Sequence, residues 1–375
     1  MSNSVNNAEV NDVLKTAPKS RIYFLDNLKV LLAVLVVLDH AAQPYGPGGV
    51  WIIPSVPQST LDQIVLGIFM AIISAFFMGL FFMISAYFVP SSFERKGGAQ
   101  FMKDRLVKLG VPIPIFMIGV FPVMDYLLSH YGLLQVQTLI TFGHLWFLAM
   151  LLIFSAVYGA YWLIKKPSSK TKRAFPGNAV ILAFIMAMAF ISFIIAIKAP
   201  MNYWVPLGLF EPFHLAQYAM LFAAGIITYR EGWIDAIPKA TAKLWSGVAI
   251  LLVILFPVVY IVTNKAMFSG GFTLASLIGS IWEAAMCMSM CIALLALFKN
   301  RFNSQGPFAK ALANNSFAVY LIHLPIIVFL QFQLIGVAID PLIKFAIVGT
   351  LGISLSFAIS HYVIRRLPYA RDVLG

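Results

Sequence analysis

The stretch Arg21-Ile-Tyr-Phe-Leu-Asp-Asn-Leu-Lys-Val-Leu-Leu-Ala-Val-Leu-Val-Val-Leu-Asp-His40 is the first apolar run of membrane-spanning length, and it carries Asp26, Lys29, Asp39 and His40 within it. Ionisable groups are costly in hydrocarbon and are usually retained there for a function. In a helix, Lys29 and His40 lie about 20° from eclipsed and ~16 Å apart along the axis. One face therefore presents a cation near its inner end and an imidazole near its outer end.

Outward from this stretch the chain stays apolar. Of its 375 residues 61% are hydrophobic and only 11% charged, whereas a soluble domain carries roughly a quarter charged residues. The expected fold is an all-α polytopic membrane protein. Its length suits about ten transmembrane helices and leaves no room for a second globular domain. The spans fall near residues 22–43, 65–90, 110–128, 144–164, 177–197, 213–229, 245–263, 273–298, 316–335 and 342–362. The runs are unbroken, which argues against the alternating short segments of a β-barrel. Residues 1–20 are polar and read as a disordered cytoplasmic tail with no cleavage signal. The transmembrane domain then covers 21–366, and 367–375 form a short cytoplasmic tail. Cys287 and Cys291, spaced i,i+4 in an apolar run, read as core packing rather than a disulfide or metal pair.

The net charge of +12 could suggest a nucleic-acid partner, but its distribution excludes one. All Lys and Arg except Lys29, Lys198, Lys265 and Lys344 fall in the tails and in every second loop. This is the bias of cytoplasmic loops, and it puts both termini in the cytoplasm of a multi-pass inner (plasma) membrane protein. The opposite loops, 44–64 and 198–212, are rich in Pro, Gly and aromatics. Their aromatics read first as an interfacial belt. The sharper alternative is that Trp51, Tyr203 and Trp204 stack on a sugar or glycolipid. No Gly-rich phosphate loop, His-Glu-x-x-His or Gly-x-Ser-x-Gly occurs, so neither a metal nor a nucleotide-hydrolysis site is expected.

Six stretches, in order, resemble one family. They are Leu25-Asp-Asn-Leu-Lys29 followed by ten residues and then His40, Phe81-Phe-Met-Ile-Ser-Ala-Tyr87, Phe101-Met-Lys-Asp-Arg-Leu-Val-Lys-Leu-Gly-Val-Pro112, Leu145-Trp-Phe-Leu148, Gly225-Ile-Ile-Thr-Tyr-Arg230, and Asn315-Ser-Phe-Ala-Val-Tyr-Leu-Ile-His323-Leu-Pro325. Together they are similar to the acyltransferase 3 family of membrane-bound O-acyltransferases, and the similarity runs from Arg21 to Arg366. Lys29 stands where the family usually has Arg, Lys108 replaces a second Arg, and Ala86 replaces Gly. Lysine keeps the charge and loses the bidentate fork.

The resemblance implies transfer of an acyl group, acetyl by first expectation, from cytoplasmic acyl-CoA to a hydroxyl of a sugar, glycan or lipid-linked acceptor. Succinyl transfer to periplasmic glucans is the alternative within the family. Such a reaction needs a base for the alcohol proton and a dry site that holds both reactants. His40 is the candidate base, close to the helix end that Pro44 and Gly46 impose. Asp39 is its candidate partner, although adjacent side chains on a helix point apart. Asp26 and Lys29, at i,i+3, can pair within the helix or meet the donor. Arg21, Lys103, Arg105 and Lys108 are the donor-phosphate candidates, since guanidinium suits phosphate oxygens; the ordinary reading of the last three is a lipid-facing basic cluster. Tyr320, His323, Glu283 and Trp146 are secondary candidates. A different class of function also fits the intramembrane charges: a secondary transporter relaying protons through Asp26, Lys29, Glu283 and His323.

Overall fold

The computed structural model describes residues 21–47, 51–138, 140–165, 173–368, 370 and 373. The tail of residues 1–20, and with it Lys15 and Lys19, lies outside them, as does most of the stretch after residue 368. The chain is an all-α multi-pass membrane protein, with no strand among the described residues.

Ten rods follow one another, each on a stretch expected to span. They are α1 (Tyr23–Ala42); a broken rod of α2 (Thr60–Ser74), α3 (Phe77–Tyr87) and α4 (Val89–Lys96); a second broken rod from α5 (Gly98–Arg105) to α6 (Phe121–His130); then α7 (Trp146–Ile164), α8 (Asn178–Ala196), α9 (Pro212–Glu231), α10 (Lys239–Val262), α11 (Leu274–Arg301), α12 (Pro307–Gln333) and α13 (Pro341–Tyr362). Among the described residues, eight rods are long and apolar enough to cross a membrane. The other two are α1, with Asp26, Lys29 and Asp39, and α9, with His214, Gln217 and Tyr218. Both carry polar side chains into the bundle, as α11 does with Glu283 and α12 with His323 and Gln331.

Several helices run past their expected ends. α12 begins at Pro307 rather than near 316, and α2 begins at Thr60. Hydropathy marks the part of a helix that lies in lipid, whereas caps mark where it starts. Ser59 accepts from the Asp62 amide at 3.2 Å and Asp62 accepts from the Ser59 amide at 2.6 Å, which closes a capping box. Prolines shape the third rod. Pro112, Pro114 and Pro122 lack the amide for an i→i−4 bond, and wider turns flank them, as in Val111 N–H to Leu106 O at 3.0 Å.

Packing is tightest where a side chain is smallest. A Cβ on Gly225 of α9 would lie 2.2 Å from the Met83 carbonyl of α3 and 2.9 Å from Ala86 Cβ. Gly225 and Ala86, from two of the family-like motifs, thus let the backbones of α3 and α9 approach closely. The main core joins α1, α3, α7, α9, α11 and α12 through residues such as Leu28, Phe82, Leu148, Leu221, Cys287 and Leu324. α10 turns Ile250, Ile254, Val258 and Ile261 outward, an exposed apolar face that suits lipid.

The two ends differ as their charges require. At one end Arg21 reaches Asn314 Oδ1 at 2.9 Å and Arg365 reaches the Asn314 carbonyl at 2.6 Å, so the first and last helices start and finish together. The same end holds Arg230 against Glu94 (3.2 Å) and Tyr158 (2.9 Å), and Lys299 on the Ile234 carbonyl (3.1 Å). The opposite end is tied by backbone bonds between loops, such as Gln135 N–H to Ile52 O at 2.9 Å.

Candidate active site

His40 sits in the last turn of α1, and Pro44 explains what surrounds it. The amide that would close on the His40 carbonyl is that of residue 44, and proline has none. Gln331 of α12 fills the gap: its Nε2 donates to the His40 carbonyl at 2.8 Å and more weakly to Ala41 at 3.4 Å. Its Oε1 accepts from the Trp51 indole at 2.9 Å. Trp51 in turn stacks on the His40 ring, with centroids 5.5 Å apart.

The ring nitrogens form a directed chain. His323 Nδ1 is 2.7 Å from the Tyr320 carbonyl, and His40 Nδ1 is 2.8 Å from His323 Nε2. A carbonyl only accepts, so His323 carries its proton on Nδ1 and presents a bare Nε2. His40 must then donate from Nδ1, which leaves its own Nε2 as a free lone pair when the ring is neutral. His323 is fully buried and His40 is partly exposed. The arrangement is that of a base oriented by a buried partner.

A second proline builds the floor. Pro325 removes the amide that would bond the Leu321 carbonyl inside α12, and His144 Nε2 takes that carbonyl at 2.9 Å. Tyr320 returns its hydroxyl to the His144 carbonyl. The His144 ring meets that of His323 edge to face at 5.0 Å, and its Nδ1 has no hydrogen-bond partner. His144 stands at the start of the fourth expected span, on the side away from the cations, where a sequence reading takes it for an interfacial anchor. The structure buries it instead, because it is needed inside α12.

The expected site residues separate into groups. His40, His323 and Tyr320 come together. Asp39 does not join them: its carboxylate faces Gln43 at 3.4 Å, as neighbouring positions on a helix require. Glu283 belongs to another cluster, with Oε1 2.5 Å from His214 Nε2, while His214 Nδ1 lies 2.7 Å from Glu211 Oε2. Trp146 stacks on Tyr218 at 5.3 Å, and Tyr218 stacks on His214 at 5.7 Å. Lys29 pairs with Asp26 at 3.1 Å and stands 4.4 Å over the Phe88 ring, toward the cation-rich end. Arg105 covers Phe101 at 5.1 Å and Lys108 covers Phe317 at 5.1 Å, while Arg21 is held by Asn314. Among the described residues no His, Cys, Asp or Glu set could hold a metal ion.

Gln331, His144, Glu211 and His214 were not singled out as site residues by the sequence. The only signals for the first two were Pro44 and Pro325, which announce a carbonyl in need of a donor without naming the donor.

Comparison with known proteins adds an independent line. A family model described as an acyltransferase domain matches residues 22–361. Proteins named glucans biosynthesis protein C from Salmonella paratyphi B, Salmonella dublin and Salmonella paratyphi A are each 26% identical over 361 residues, covering 90% of this chain and 89% of theirs. No solved structure matches the chain.

Proposed function

Because the chain belongs to the acyltransferase 3 family and is a membrane-embedded acyltransferase, we propose that it moves an acyl group from cytoplasmic acyl-CoA to a hydroxyl of a glucan at the opposite face. The glucan class is suggested by the names of the relatives. Acetyl is the first donor group to test and succinyl the second.

The observation that carries this reading is the chain from the Tyr320 carbonyl through His323 to His40, which leaves His40 Nε2 bare at the end of the bundle far from the cations. His40 Nε2 takes the proton of the acceptor hydroxyl as that oxygen attacks the thioester carbonyl. The tetrahedral intermediate collapses, the C–S bond breaks, and the thiolate recovers the proton from the imidazolium. His323 accepts from His40 Nδ1 throughout and holds the ring in the useful tautomer, a role in which Asp39 takes no part. General-base assistance of this kind contributes roughly 10²–10⁴ in rate.

The donor arrives from the cation-rich end. Lys29, half shielded beside Asp26 and Phe88, and the outlying Arg21, Lys103, Arg105 and Lys108 are the groups that would meet its phosphates. A narrow acyl-bearing arm must then cover the ~16 Å between the levels of Lys29 and His40. The transporter alternative loses its relay, since Glu283 pairs with His214 and Lys29 with Asp26 rather than with His323.

The test is acylation of a glucan by the purified protein supplied with acetyl-CoA or succinyl-CoA, read as thiol release and as a mass increase of the glucan. Activity that His40→Ala abolishes at normal expression is the expected result. Retained activity in that variant, or substrate uptake into sealed vesicles without acylation, would overturn the assignment.

A further inference from the structure

Gln331 is 1% exposed, and both halves of its amide are committed. Its orientation is forced. An indole N–H can only donate and a backbone carbonyl can only accept, so Oε1 must face Trp51 and Nε2 must face His40 and Ala41. One side chain thus fastens the backbone of the candidate base and, 2.9 Å from its other end, the tryptophan that lies on the base.

Trp51 is anchored in a way that an interfacial tryptophan is not. A belt tryptophan turns its N–H to water or headgroups. Here the N–H is satisfied inside the protein, the ring is inclined 22° to the imidazole of His40, and part of its surface stays exposed. Neighbouring backbone is also fixed: Ile52 O accepts from the Gln135 amide at 2.9 Å and Val56 N–H reaches Pro44 O at 3.0 Å. Other aromatics at this end lack the connection. Trp204 meets Trp146 at 5.8 Å and makes no ring contact with His40.

Resting on the acyltransferase reading above, we infer that Trp51 is the platform of the acceptor subsite, against which the apolar face of a sugar ring lies with a hydroxyl toward His40 Nε2, and that Gln331 is the positioning residue that fixes this platform. A pyranose has a face of C–H groups that an indole covers well. A tryptophan with only two side-chain torsions loses little freedom on contact, and less still when its N–H is already tied. The geometry also links the two reactants' requirements. The same amide that sets the indole sets the last turn of α1, so the platform and the base keep their separation when either helix shifts.

The test uses the full chain in nanodiscs, acetyl-CoA and succinyl-CoA as donors, and a short gluco-oligosaccharide as the acceptor probe. Acceptor-independent thioester hydrolysis is followed in parallel. Trp51→Ala should raise the acceptor KM about tenfold or more and leave the donor KM within about twofold. Trp51→Phe, which keeps a ring and loses the N–H, should give a smaller rise. Gln331→Met should raise the acceptor KM in the parent, and by clearly less once Trp51→Phe has removed the indole N–H, since only the loss of its bond to the His40 carbonyl then remains.

An unchanged acceptor KM in Trp51→Ala would overturn the proposal, as would equal losses for donor and acceptor. So would a Gln331→Met effect of the same size with and without the indole N–H. Should Trp51→Ala fail to fold by gel filtration, Trp51→Phe and Gln331→Met decide the matter alone. A parent protein that His40→Ala inactivates while Trp51→Ala keeps its acceptor KM leaves the acyltransferase reading standing and removes the platform. A parent that hydrolyses the thioester but never acylates the oligosaccharide overturns the sugar class of the acceptor. A parent inert toward both thioesters overturns the reading on which the platform rests.

Discussion

His144 replaces the amide that Pro325 lacks: its Nε2 stands 2.9 Å from the Leu321 carbonyl that an ordinary residue at 325 would bond within α12. The substitution of a side chain for a backbone donor ties the start of α7 to the middle of α12, and it brings a third imidazole beside His323. Removing His144 should therefore act first on stability. His144→Phe leaves the buried Leu321 carbonyl unpaired, at a cost of about 1–3 kcal/mol. Pro325→Ala returns the amide, so the double variant His144→Phe/Pro325→Ala should melt above His144→Phe alone in detergent. Additive losses in that pair would show that the carbonyl is not what His144 serves.

His323 has a different consequence, because it acts on the tautomer of His40 rather than on the fold. His323→Ala should lower kcat by on the order of 10²-fold or more with little change in the donor KM, while His323→Gln, which can still offer an oxygen to His40 Nδ1, should recover part of the loss. Equal kcat in both variants and the parent would take His323 out of the mechanism.

The sequence made the spans legible, since lipid selects for apolar runs and the cation bias fixes alternate loops. The register of Lys29 and His40 on one helix was legible for the same reason. What could not be read is which distant side chain meets a given group. Asp39 is next to His40 in the chain, yet helix geometry points it at Gln43, and the partner comes from position 323. Pro44 and Pro325 each show that a carbonyl will lack its donor, but the residues that answer, Gln331 and His144, are chosen by helix packing. Helix ends beyond the apolar runs were missed because caps such as Ser59 and Asp62, not hydropathy, define them.

The contact of α3 with α9 predicts a sharp size limit. A Cβ on Gly225 would meet the Met83 carbonyl at 2.2 Å, so Gly225→Val must push the helices apart through the core that holds Phe82, and should cost about 3 kcal/mol or more or abolish folding. Gly119→Ala, with nothing within 4 Å of the added carbon, is the control. Normal yield and a monodisperse elution profile for Gly225→Val would mean that the two helices are not held this close.

The cation-rich end makes a prediction that separates charge from structure. Lys29 is 29% exposed and Asp26 24% exposed, so their pair is partly wet and contributes little to stability. Lys29→Met should leave the melting temperature nearly unchanged. If Lys29 and Arg105 meet donor phosphates, Lys29→Met and Arg105→Glu should each raise the KM for acyl-CoA several-fold, with the acceptor KM unmoved. Moderate salt should raise the parent's donor KM in the same direction, since screening weakens exposed phosphate contacts. Lys29→Arg should bind the donor at least as well as the parent, because the guanidinium adds a second donor to the same charge. A donor KM indifferent to all three substitutions and to salt would place phosphate recognition elsewhere on the cation-rich end and leave the Asp26–Lys29 pair a device for seating α1 in the membrane.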